Sequence, residues 1–442
     1  MHFVSRLLSS FLAVGVSVAA WTMPGLGGGG GGDGCVAVPA VWNGFGYLFN
    51  ITVGGQELTV LSDWTWMSLF VRSGRCMGRY HELACVGDGG QTFFDERRSA
   101  SFRNSSLPQI RWPVTAFAAN FTVDYGVDTV CVGAVCNPAT VFQLSNFPVT
   151  AEAIPPVPFA GIYGLAPVTA GLTEASQPAH YQAWQAGKLG SRVGWHSCAA
   201  LSSSDSCLGG EAKLVFGGSD TTLYDEARMQ IFAVSNPPWL GDAFYPVRPP
   251  RNNYWSTALT GYWIRSKSPH HAAESPNFVL RGPRVDGGDG MLALLDEGSE
   301  GLGAPLSSKA YAWLARHIGA SPASDAVVEA IASQGSSGFN TALQEWYTVP
   351  CAGTNELPDL VYELEGRENY TIRPKDYVTQ LKESKLCYLN INVWKYGRTE
   401  DGDAKVILLG RAFLKRLYVL LDFDSLSFGF APLRESLSSE KL

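Results

Sequence analysis

The apolar residues of this chain come in short alternating stretches separated by Gly, Pro, Asn and Asp, and this pattern constrains the fold more than any other feature. Residues 47–53 (YLFNITV), which end at Gly54 and Gly55, are an example. Alternation with a period of two between turn residues is typical of β-strands. Helical periods are few, the clearest being residues 180–188, 307–318 and 324–331. The sequence therefore predicts an all-β fold.

Size and charge narrow the class of protein further. The chain has 442 residues, of which 46% are hydrophobic, and this is enough for two sizeable cores. The formal net charge is −7 with no run of Lys and Arg, which argues against nucleic-acid binding. A polar, proline-bearing stretch at 235–238 predicts a boundary between two lobes. We expect an N-terminal β lobe over 37–235, a C-terminal β lobe over 236–434 and a polar tail over 435–442.

The N-terminal residues predict a secreted protein. Residues 1–20 place Arg6 before an apolar run that ends in small residues, as in a secretory signal peptide. A membrane anchor is the alternative, but the run is shorter than the ~20 residues that a membrane span needs. Residues 21–36 are interpreted as a glycine-rich linker. We expect an extracellular monomer with no membrane span in the mature chain and no conventional propeptide.

Cysteines and glycosylation sequons agree with an oxidising compartment. Eight of the nine cysteines form plausible disulfide pairs, with Cys35 left over: Cys76/Cys85, Cys131/Cys136, Cys198/Cys207 and Cys351/Cys387. The sequence does not fix this connectivity. No Cys-x-x-Cys or His-x-x-x-His pattern accompanies them, so neither a metal nor a cofactor is expected. Four sequons predict N-glycosylation, at Asn50, Asn104, Asn120 and Asn369.

Each half of the chain contains an apolar strand that runs into an aspartate and a turn. These segments are residues 60–63 (VLSD) and 293–296 (ALLD). If Asp63 and Asp296 meet in a cleft between the lobes, they share one proton, because two adjacent carboxyls do not both ionise cheaply. Such a pair can activate water and polarise an amide carbonyl. Since an aspartate after a strand also commonly caps a turn, this spacing alone leaves both interpretations open.

Along nearly its whole mature length, the chain resembles the pepsin family of aspartic peptidases. The segments that carry the resemblance occur in the family's order: 58–71 (LTVLSDWTWMSLFV), 94–102 (FDERRSASF), 161–166 (GIYGLA), 216–220 (FGGSD), 357–361 (LPDLV) and 407–414 (ILLGRAFL). The resemblance implies a bilobal fold, two β lobes flanking a central cleft, with Asp63 and Asp296 as the catalytic pair. It also implies a polypeptide substrate or ligand in the cleft.

The active-site loops depart from the family's Asp-Thr-Gly-Ser/Thr signature. The first loop reads Asp63-Trp64-Thr65-Trp66, and the second reads Asp296-Glu297-Gly298-Ser299. In the family, the glycine lets an amide approach the carboxylate, so Thr65 is expected to strain the loop or move that amide. The family's threonines bind each other across the lobes, a pairing that Trp64 and Glu297 are not expected to reproduce. Glu297, if buried, must be neutralised, paired or turned outward.

These departures lead to two functional hypotheses. The first is a secreted aspartic endopeptidase with activity weakened or lost; restoring Thr at 64 and 297 and Gly at 65 is then expected to raise activity. The alternative is a non-catalytic protein whose cleft binds a peptide, protein or glycan. Trp64 and Trp66 favour binding if they face the cleft, but they are equally explained by packing within a lobe. The flap position near Ala116 or Phe117 also lacks the family's tyrosine.

Overall fold

The structure is a computed structural model that describes residues 34–44, 46–73, 93–112, 121–145, 160–169, 173–200, 204–237, 240, 253–266, 291–298, 303–334, 345–382, 384–393, 396–398 and 404–434. In these ranges the chain is mostly β-strand with few helices, which confirms the predicted all-β class. Several predictions fall outside the described residues: the signal peptide, most of the linker, the polar tail, Cys76, Cys85, Ala116, Phe117, Asn120 and Ser299.

The first twelve strands all join one large sheet. They are β1 (Val36–Trp42), β2 (Tyr47–Val53), β3 (Gln56–Asp63), β4 (Leu69–Arg72), β5 (Arg103–Asn104), β6 (Ile110–Trp112), β7 (Phe121–Val132), β8 (Val135–Ser145), β9 (Gly161–Gly164), β10 (Arg192–Ser197), β11 (Ala212–Phe216) and β12 (Gln230–Ala233).

The next twelve strands form three smaller sheets, and the last two return to the large one. They are β13 (Ser256–Arg265), β14 (Met291–Leu295), β15 (Ala304–Leu306), β16 (Ser321–Pro322), β17 (Tyr347–Pro350), β18 (Asp359–Leu364), β19 (Glu368–Ile372), β20 (Val378–Gln380), β21 (Leu386–Leu389), β22 (Ile391–Val393), β23 (Tyr396–Arg398), β24 (Ala404–Leu409), β25 (Leu417–Asp422) and β26 (Ser427–Pro432).

The end of the chain ties the two halves together. Strand β25 pairs antiparallel with β10, placing Leu420 opposite Gly194, and β26 pairs with β12. The order β12-β26-β25-β10-β11-β1 therefore interleaves strands from both ends of the sequence. The result is the bilobal β fold that the family resemblance implies, with two β lobes flanking a central cleft.

The described residues contain five helices between the strands. They are α1 (Ala179–Gln185), α2 (Ser308–His317), α3 (Asp325–Ser333), α4 (Pro374–Tyr377) and α5 (Arg411–Leu414). The first three confirm the predicted helical segments. Short 3₁₀ turns occur at Glu96–Arg98, Glu174–Ser176, Cys198–Ala200, Ser204–Cys207, Glu226–Arg228 and Thr354–Glu356. Helix α2 begins where the Ser307 hydroxyl accepts the Ala310 amide at 3.2 Å, a typical N-cap. In the described part of the chain, no helix is long and apolar enough to cross a membrane.

The strand before the first aspartate separates two apolar clusters. Val60 of β3 lies in the main core, whereas the next residue, Leu61, lies in a second cluster with Phe70. This follows from the alternation of side chains along a strand. The main core takes residues from both halves of the chain, including the fully buried Trp64 and Trp255. Burial of this shared apolar surface holds the lobes together.

The three predicted disulfides that lie in the described residues are formed: Cys131–Cys136, Cys198–Cys207 and Cys351–Cys387. The fourth predicted pair, Cys76/Cys85, lies outside the described residues. The first joins opposed residues at the turn between β7 and β8, and the last closes a span of 36 residues. Cys35 is a free cysteine, as expected for the one that the predicted pairs leave over. The disulfides agree with an oxidising compartment.

Candidate active site

Asp63 is the last residue of β3, and the neighbouring strand fixes the loop that follows it. Strand β3 runs parallel to β9, with Asp63 opposite Gly164. The Leu165 amide donates to the main-chain oxygen of Asp63 at 2.8 Å. A Cβ atom at Gly164 would overlap the main-chain oxygens of Trp66 and Ser68, so only glycine fits where the loop crosses the strand.

The Asp63 carboxyl is held by three hydrogen bonds at one oxygen. Asp63 Oδ1 accepts from the Thr65 amide at 2.7 Å, from the Thr65 hydroxyl at 2.7 Å and from the Trp66 amide at 3.0 Å. Burial raises the pKa of Asp63, while these donors oppose the rise because they stabilise the ionised form. The other oxygen, Oδ2, accepts none of these three bonds.

Asp296 stands at the matching point of a second pair of parallel strands. Strand β14 runs parallel to β24, and the Asp296 amide donates to the main-chain oxygen of Leu409 at 3.3 Å. The Gly298 amide donates to Asp296 Oδ1 at 2.8 Å, as the Thr65 amide does to Asp63. Asp296 is 9% exposed. In both loops, therefore, the amide two residues after the aspartate binds its carboxyl.

Glu297 points inward and crosses to the first loop. Its Oε1 lies 2.8 Å from the Ser62 hydroxyl, and its Oε2 accepts the Trp64 amide at 3.2 Å. Glu297 is 1% exposed. Glu297 is therefore paired, one of the three outcomes expected for a buried glutamate at this position, although its contacts differ from the family's threonine pairing. A long carboxyl side chain from the second loop reaches Ser62 and the backbone of Trp64 in the first.

Three acidic side chains form one electrostatic cluster at this point. Burial raises the pKa of Glu297 well above its ordinary value, and the charges of Asp63 and Asp296 raise it further. The hydrogen bond with Ser62 opposes this rise only in part. Because Glu297 follows Asp296 and contacts the residues on both sides of Asp63, the two loop ends meet at a common site. An ionised Asp63 or Asp296 therefore favours the protonated, neutral form of Glu297.

Thr65 does not strain the first loop, contrary to the sequence-based expectation. It is not among the described non-glycine residues with a positive φ, which are Leu208, Glu365 and Leu426. Its amide keeps the contact with Asp63 that the family's glycine is expected to provide. The side chain adds a hydroxyl donor to the same oxygen. Replacing glycine by threonine here therefore adds a hydrogen bond to Asp63 instead of displacing the amide.

The tryptophans of the first loop are packing residues, the second of the two alternatives left open by the sequence. Trp64 is fully buried and packs edge-on against Trp195, with ring centroids 5.4 Å apart. Trp66 is 4% exposed and packs against Phe70 at 5.9 Å. Such edge-to-face pairs stabilise a core. The interpretation that both rings fill the cleft to bind a ligand loses its support.

Several residues that join the lobes beside the site could not be recognised from the sequence. Ser62 is one, because nothing in the sequence distinguishes it from other strand residues. The Trp255 indole donates to the main-chain oxygen of Leu165 at 2.6 Å, and the Asn253 amide donates to Thr169 Oγ1 at 2.8 Å. In the sequence, Trp255 is marked only by the pair Tyr254-Trp255, which resembles a pepsin-family segment, and its partner Leu165 lies 90 residues away.

One cluster of possible metal ligands lies elsewhere in the described residues. It consists of His196, Cys198 and Cys207. The two cysteines are joined in a disulfide, so neither supplies a thiolate. His196 is buried, and its pKa is lowered to about 3, first by burial and then by the charge of Lys213. This cluster is therefore part of the lobe's core.

The described sequons differ in their surroundings. Asn104 and Asn369 are exposed, whereas Asn50 is half-buried in β2. The Asn50 amide donates to Glu57 Oε1 at 2.7 Å. A glycan at Asn50 would replace one hydrogen of that amide. Glycosylation remains a prediction at all four positions.

Comparison with known proteins identifies the family. The family model for eukaryotic aspartyl proteases matches residues 46–433. The chain is 64% identical over 401 residues to secreted aspartic protease LUC8 of a Fusarium species, covering 90% of this chain and 91% of the relative. It is 56% identical over 405 residues to secreted aspartic protease FUS4 of Gibberella moniliformis, again covering 90% and 91%. An aspartic protease-like protein, pynH of Aspergillus niger, is 27% identical, covering 88% and 89%.

The match covers most of the chain and includes both aspartate loops. It agrees with the order of the sequence segments and with the pairs of parallel strands behind Asp63 and Asp296. The relatives' names also confirm the prediction of a secreted protein. The chain belongs to the pepsin-like family of eukaryotic aspartyl proteases.

Proposed function

We propose that the protein is a secreted aspartic endopeptidase in which Asp63 and Asp296 hydrolyse peptide bonds. The observation that carries this proposal is the matched arrangement of the two loops. In each, an aspartate follows a strand of a parallel pair and accepts the amide two residues later, at 2.7 Å in the first loop and 2.8 Å in the second. An amide donor fixed on each carboxyl positions both groups before substrate binds.

The proposed reaction is general acid–base catalysis by a carboxyl pair that holds one proton. The ionised aspartate accepts a proton from water while the water oxygen attacks the amide carbon. The protonated aspartate donates a hydrogen bond to the carbonyl oxygen, which gains negative charge. Collapse of the tetrahedral intermediate then breaks the C–N bond, and a carboxyl proton passes to the leaving nitrogen. Water is added across the peptide bond and the pair returns to its starting protonation state.

The altered signature bears on how much activity remains. The sequence predicts activity that is weak or lost, because a misplaced catalytic hydrogen bond costs about 3 kcal/mol, or roughly two decades in rate. The structure supports smaller losses, since the Thr65 amide still reaches Asp63 and Glu297 still binds the first loop. Burial of Trp64 also leaves its ring outside the cleft. We therefore propose retained acid proteolysis.

The test is cleavage of an unfolded protein by the purified mature chain from pH 2 to pH 7. We expect a maximum at roughly pH 3 to 5, where a carboxyl pair holds one proton, and inhibition by a pepstatin-type transition-state analogue. Asp63→Asn and Asp296→Asn should each abolish cleavage, because amides neither accept the water proton nor supply the acid. Glu356→Gln, which removes an exposed carboxyl, is the matched control.

Two outcomes would contradict the proposal. Cleavage that persists in both Asn variants would assign the activity to another group or to a contaminant. A folded wild-type protein that cleaves nothing over this pH range would favour the alternative, a non-catalytic protein that binds a peptide, protein or glycan in its cleft. Mass mapping of the products identifies internal cleavage and so separates endopeptidase from exopeptidase activity.

A further inference from the structure

We propose that Glu297 is a positioning residue: a neutral carboxyl that clamps the second active-site loop to the first and so keeps Asp63 and Asp296 in register. This inference rests on the proposed function, because it concerns the same pair of aspartates. It adds a residue that the family signature does not contain. Glu297 touches neither water nor substrate in the reaction written above and acts through the backbone of the first loop.

The clamp is built from two contacts that cross between the lobes. Glu297 Oε1 lies 2.8 Å from Ser62 Oγ, and Oε2 lies 3.2 Å from the Trp64 amide nitrogen. Ser62 and Trp64 are the residues on either side of Asp63. A single side chain therefore contacts the Ser62 hydroxyl before the first aspartate and the Trp64 amide after it. Glu297 directly follows Asp296, so its contacts connect the loop that carries Asp296 to the loop that carries Asp63.

The contact between the loops is made by a side chain of the second loop only. Trp64 occupies in the first loop the place that Glu297 occupies in the second, but the Trp64 ring turns into the core against Trp195. It makes no return contact with the second loop among the described interactions. The Glu297 side chain therefore carries the cross-lobe hydrogen bonding at this point, and its removal should not be compensated by Trp64.

The surroundings of Glu297 favour the neutral form. Glu297 is 1% exposed, and the charged groups that act on it are Asp63 at the end of β3 and Asp296 after β14. No cation of the described chain is among the groups that shift it. The ionised form of a buried carboxyl beside an ionised aspartate is destabilised both by loss of hydration and by charge repulsion. In the structure, the Ser62 hydroxyl donates to Oε1 and the Trp64 amide donates to Oε2. We infer that protonation of Oε1 reverses the first bond, so that the neutral acid donates to Ser62 Oγ while Oε2 still accepts from Trp64.

Glutamine is the matched probe for this clamp. In Glu297→Gln, the amide NH₂ donates to Ser62 and the amide oxygen accepts from Trp64, so both contacts remain and no charge forms at any pH. Glu297→Ala removes both contacts and leaves Ser62 and the Trp64 amide without them. Comparison of the two variants separates the clamp from a role for the ionisable group itself. Glu356→Gln again serves as the control for removal of an exposed acid.

The kinetic arm measures kcat and KM at pH 4 with a fluorescently labelled unfolded protein. We expect Glu297→Ala to lower kcat by about tenfold to a hundredfold, since small misplacements of catalytic groups cost this much, while KM stays within about twofold. Glu297→Gln should rescue most of that loss. Glu297→Ala with wild-type kcat, or Glu297→Gln as slow as Glu297→Ala, would overturn the proposal.

The thermal arm measures the unfolding midpoint of the full chain at pH 4 and pH 8. The pKa of Glu297 is higher in the folded protein than in the unfolded chain, so its contribution to stability is complete below the unfolded value and is lost as pH rises through the folded value. Glu297→Gln should therefore match wild type at pH 4 and exceed it at pH 8. A Glu297→Gln midpoint no higher than that of wild type at pH 8 would contradict a neutral buried carboxyl.

The two arms keep this inference distinct from the proposed function. If the wild-type protein cleaves nothing, the assignment of Asp63 and Asp296 as an active pair fails. The thermal arm still decides whether Glu297 is a neutral clamp. If Glu297→Ala does not fold, Glu297→Gln alone decides, because loss of activity or of the pH 8 stability gain in that variant refutes the clamp.

Discussion

Substituting Thr65 by Val tests how the first loop sets the protonation of Asp63. The substitution keeps the branched shape of the side chain and removes the hydroxyl that donates to Asp63 Oδ1 at 2.7 Å. The Thr65 and Trp66 amides continue to donate to the same oxygen. Because the hydroxyl stabilises the ionised carboxyl, its removal raises the pKa of Asp63 further above its ordinary value.

The size of the effect follows from the strength of one hydrogen bond to a charged group. Such a bond contributes about 1.5–3 kcal/mol, and one pKa unit corresponds to about 1.4 kcal/mol. The apparent pKa of the acid limb should therefore rise by roughly one to two units in Thr65→Val. The measured value belongs to the coupled carboxyl cluster and not to Asp63 alone.

The assay is the pH dependence of kcat/KM on an unfolded substrate, compared between Thr65→Val and Thr65→Ser. Serine keeps the hydroxyl, so the Thr65→Ser profile should follow wild type on its acid limb. Identical acid limbs in the two variants would refute the reasoning, since the hydroxyl would then have no measurable effect on the ionised form. A fall in rate without a shift of the limb would instead assign Thr65 a purely geometric role.

Three further variants test other parts of the site and its support. Gly298→Ala places a Cβ 3.1 Å from Asp296 Oδ1, so we expect kcat to fall by about tenfold or more with the melting temperature little changed. Trp255→Phe removes the indole donor to the Leu165 carbonyl and should lower the free energy of unfolding in urea by about 1–3 kcal/mol. His180 is buried, and mainly because of this burial its pKa is lowered to about 4. The stability that neutral His180 contributes to the folded protein is therefore lost as pH falls from about 6.5 towards 4. In His180→Phe, urea unfolding should therefore show up to about 3 kcal/mol less loss of stability over that range.

Local features of the fold could be predicted from the sequence because they depend on neighbouring residues. The apolar runs before Asp63 and Asp296 predict the strands that carry them, and both strands are present. The pairs Cys131–Cys136 and Cys198–Cys207 close short loops, so proximity along the chain suggests them. Helix α2 has a serine cap and an apolar stripe within one segment.

The contacts that decide the chemistry of the site could not be predicted in this way. Glu297 meets Ser62 and the Trp64 backbone across separations of 235 and 233 residues. Whether a glutamate after an aspartate turns inward depends on what the opposite lobe offers it. Likewise, the effect of Thr65 depends on the sign of its φ, which is not evident from residue type. A signature records residue identities, whereas catalysis depends on where donors and acceptors finally lie.

The departures from the family signature are therefore better understood as one linked change than as separate defects. The Trp64 side chain packs in the core against Trp195, so it does not take part in the contact between the lobes. Glu297 restores that contact from the other side through the Trp64 amide, which any residue at position 64 provides. Replacing Trp64 by threonine would leave a cavity in the core. For comparison, a buried tryptophan-to-alanine change lowers the free energy of unfolding by about 3–5 kcal/mol. Replacing Glu297 by threonine would shorten the side chain that spans the lobes. Restoring the family's residues one at a time is therefore expected to remove packing or the clamp before it rebuilds the threonine pairing, whereas the gain expected from restoring all three together stays a prediction.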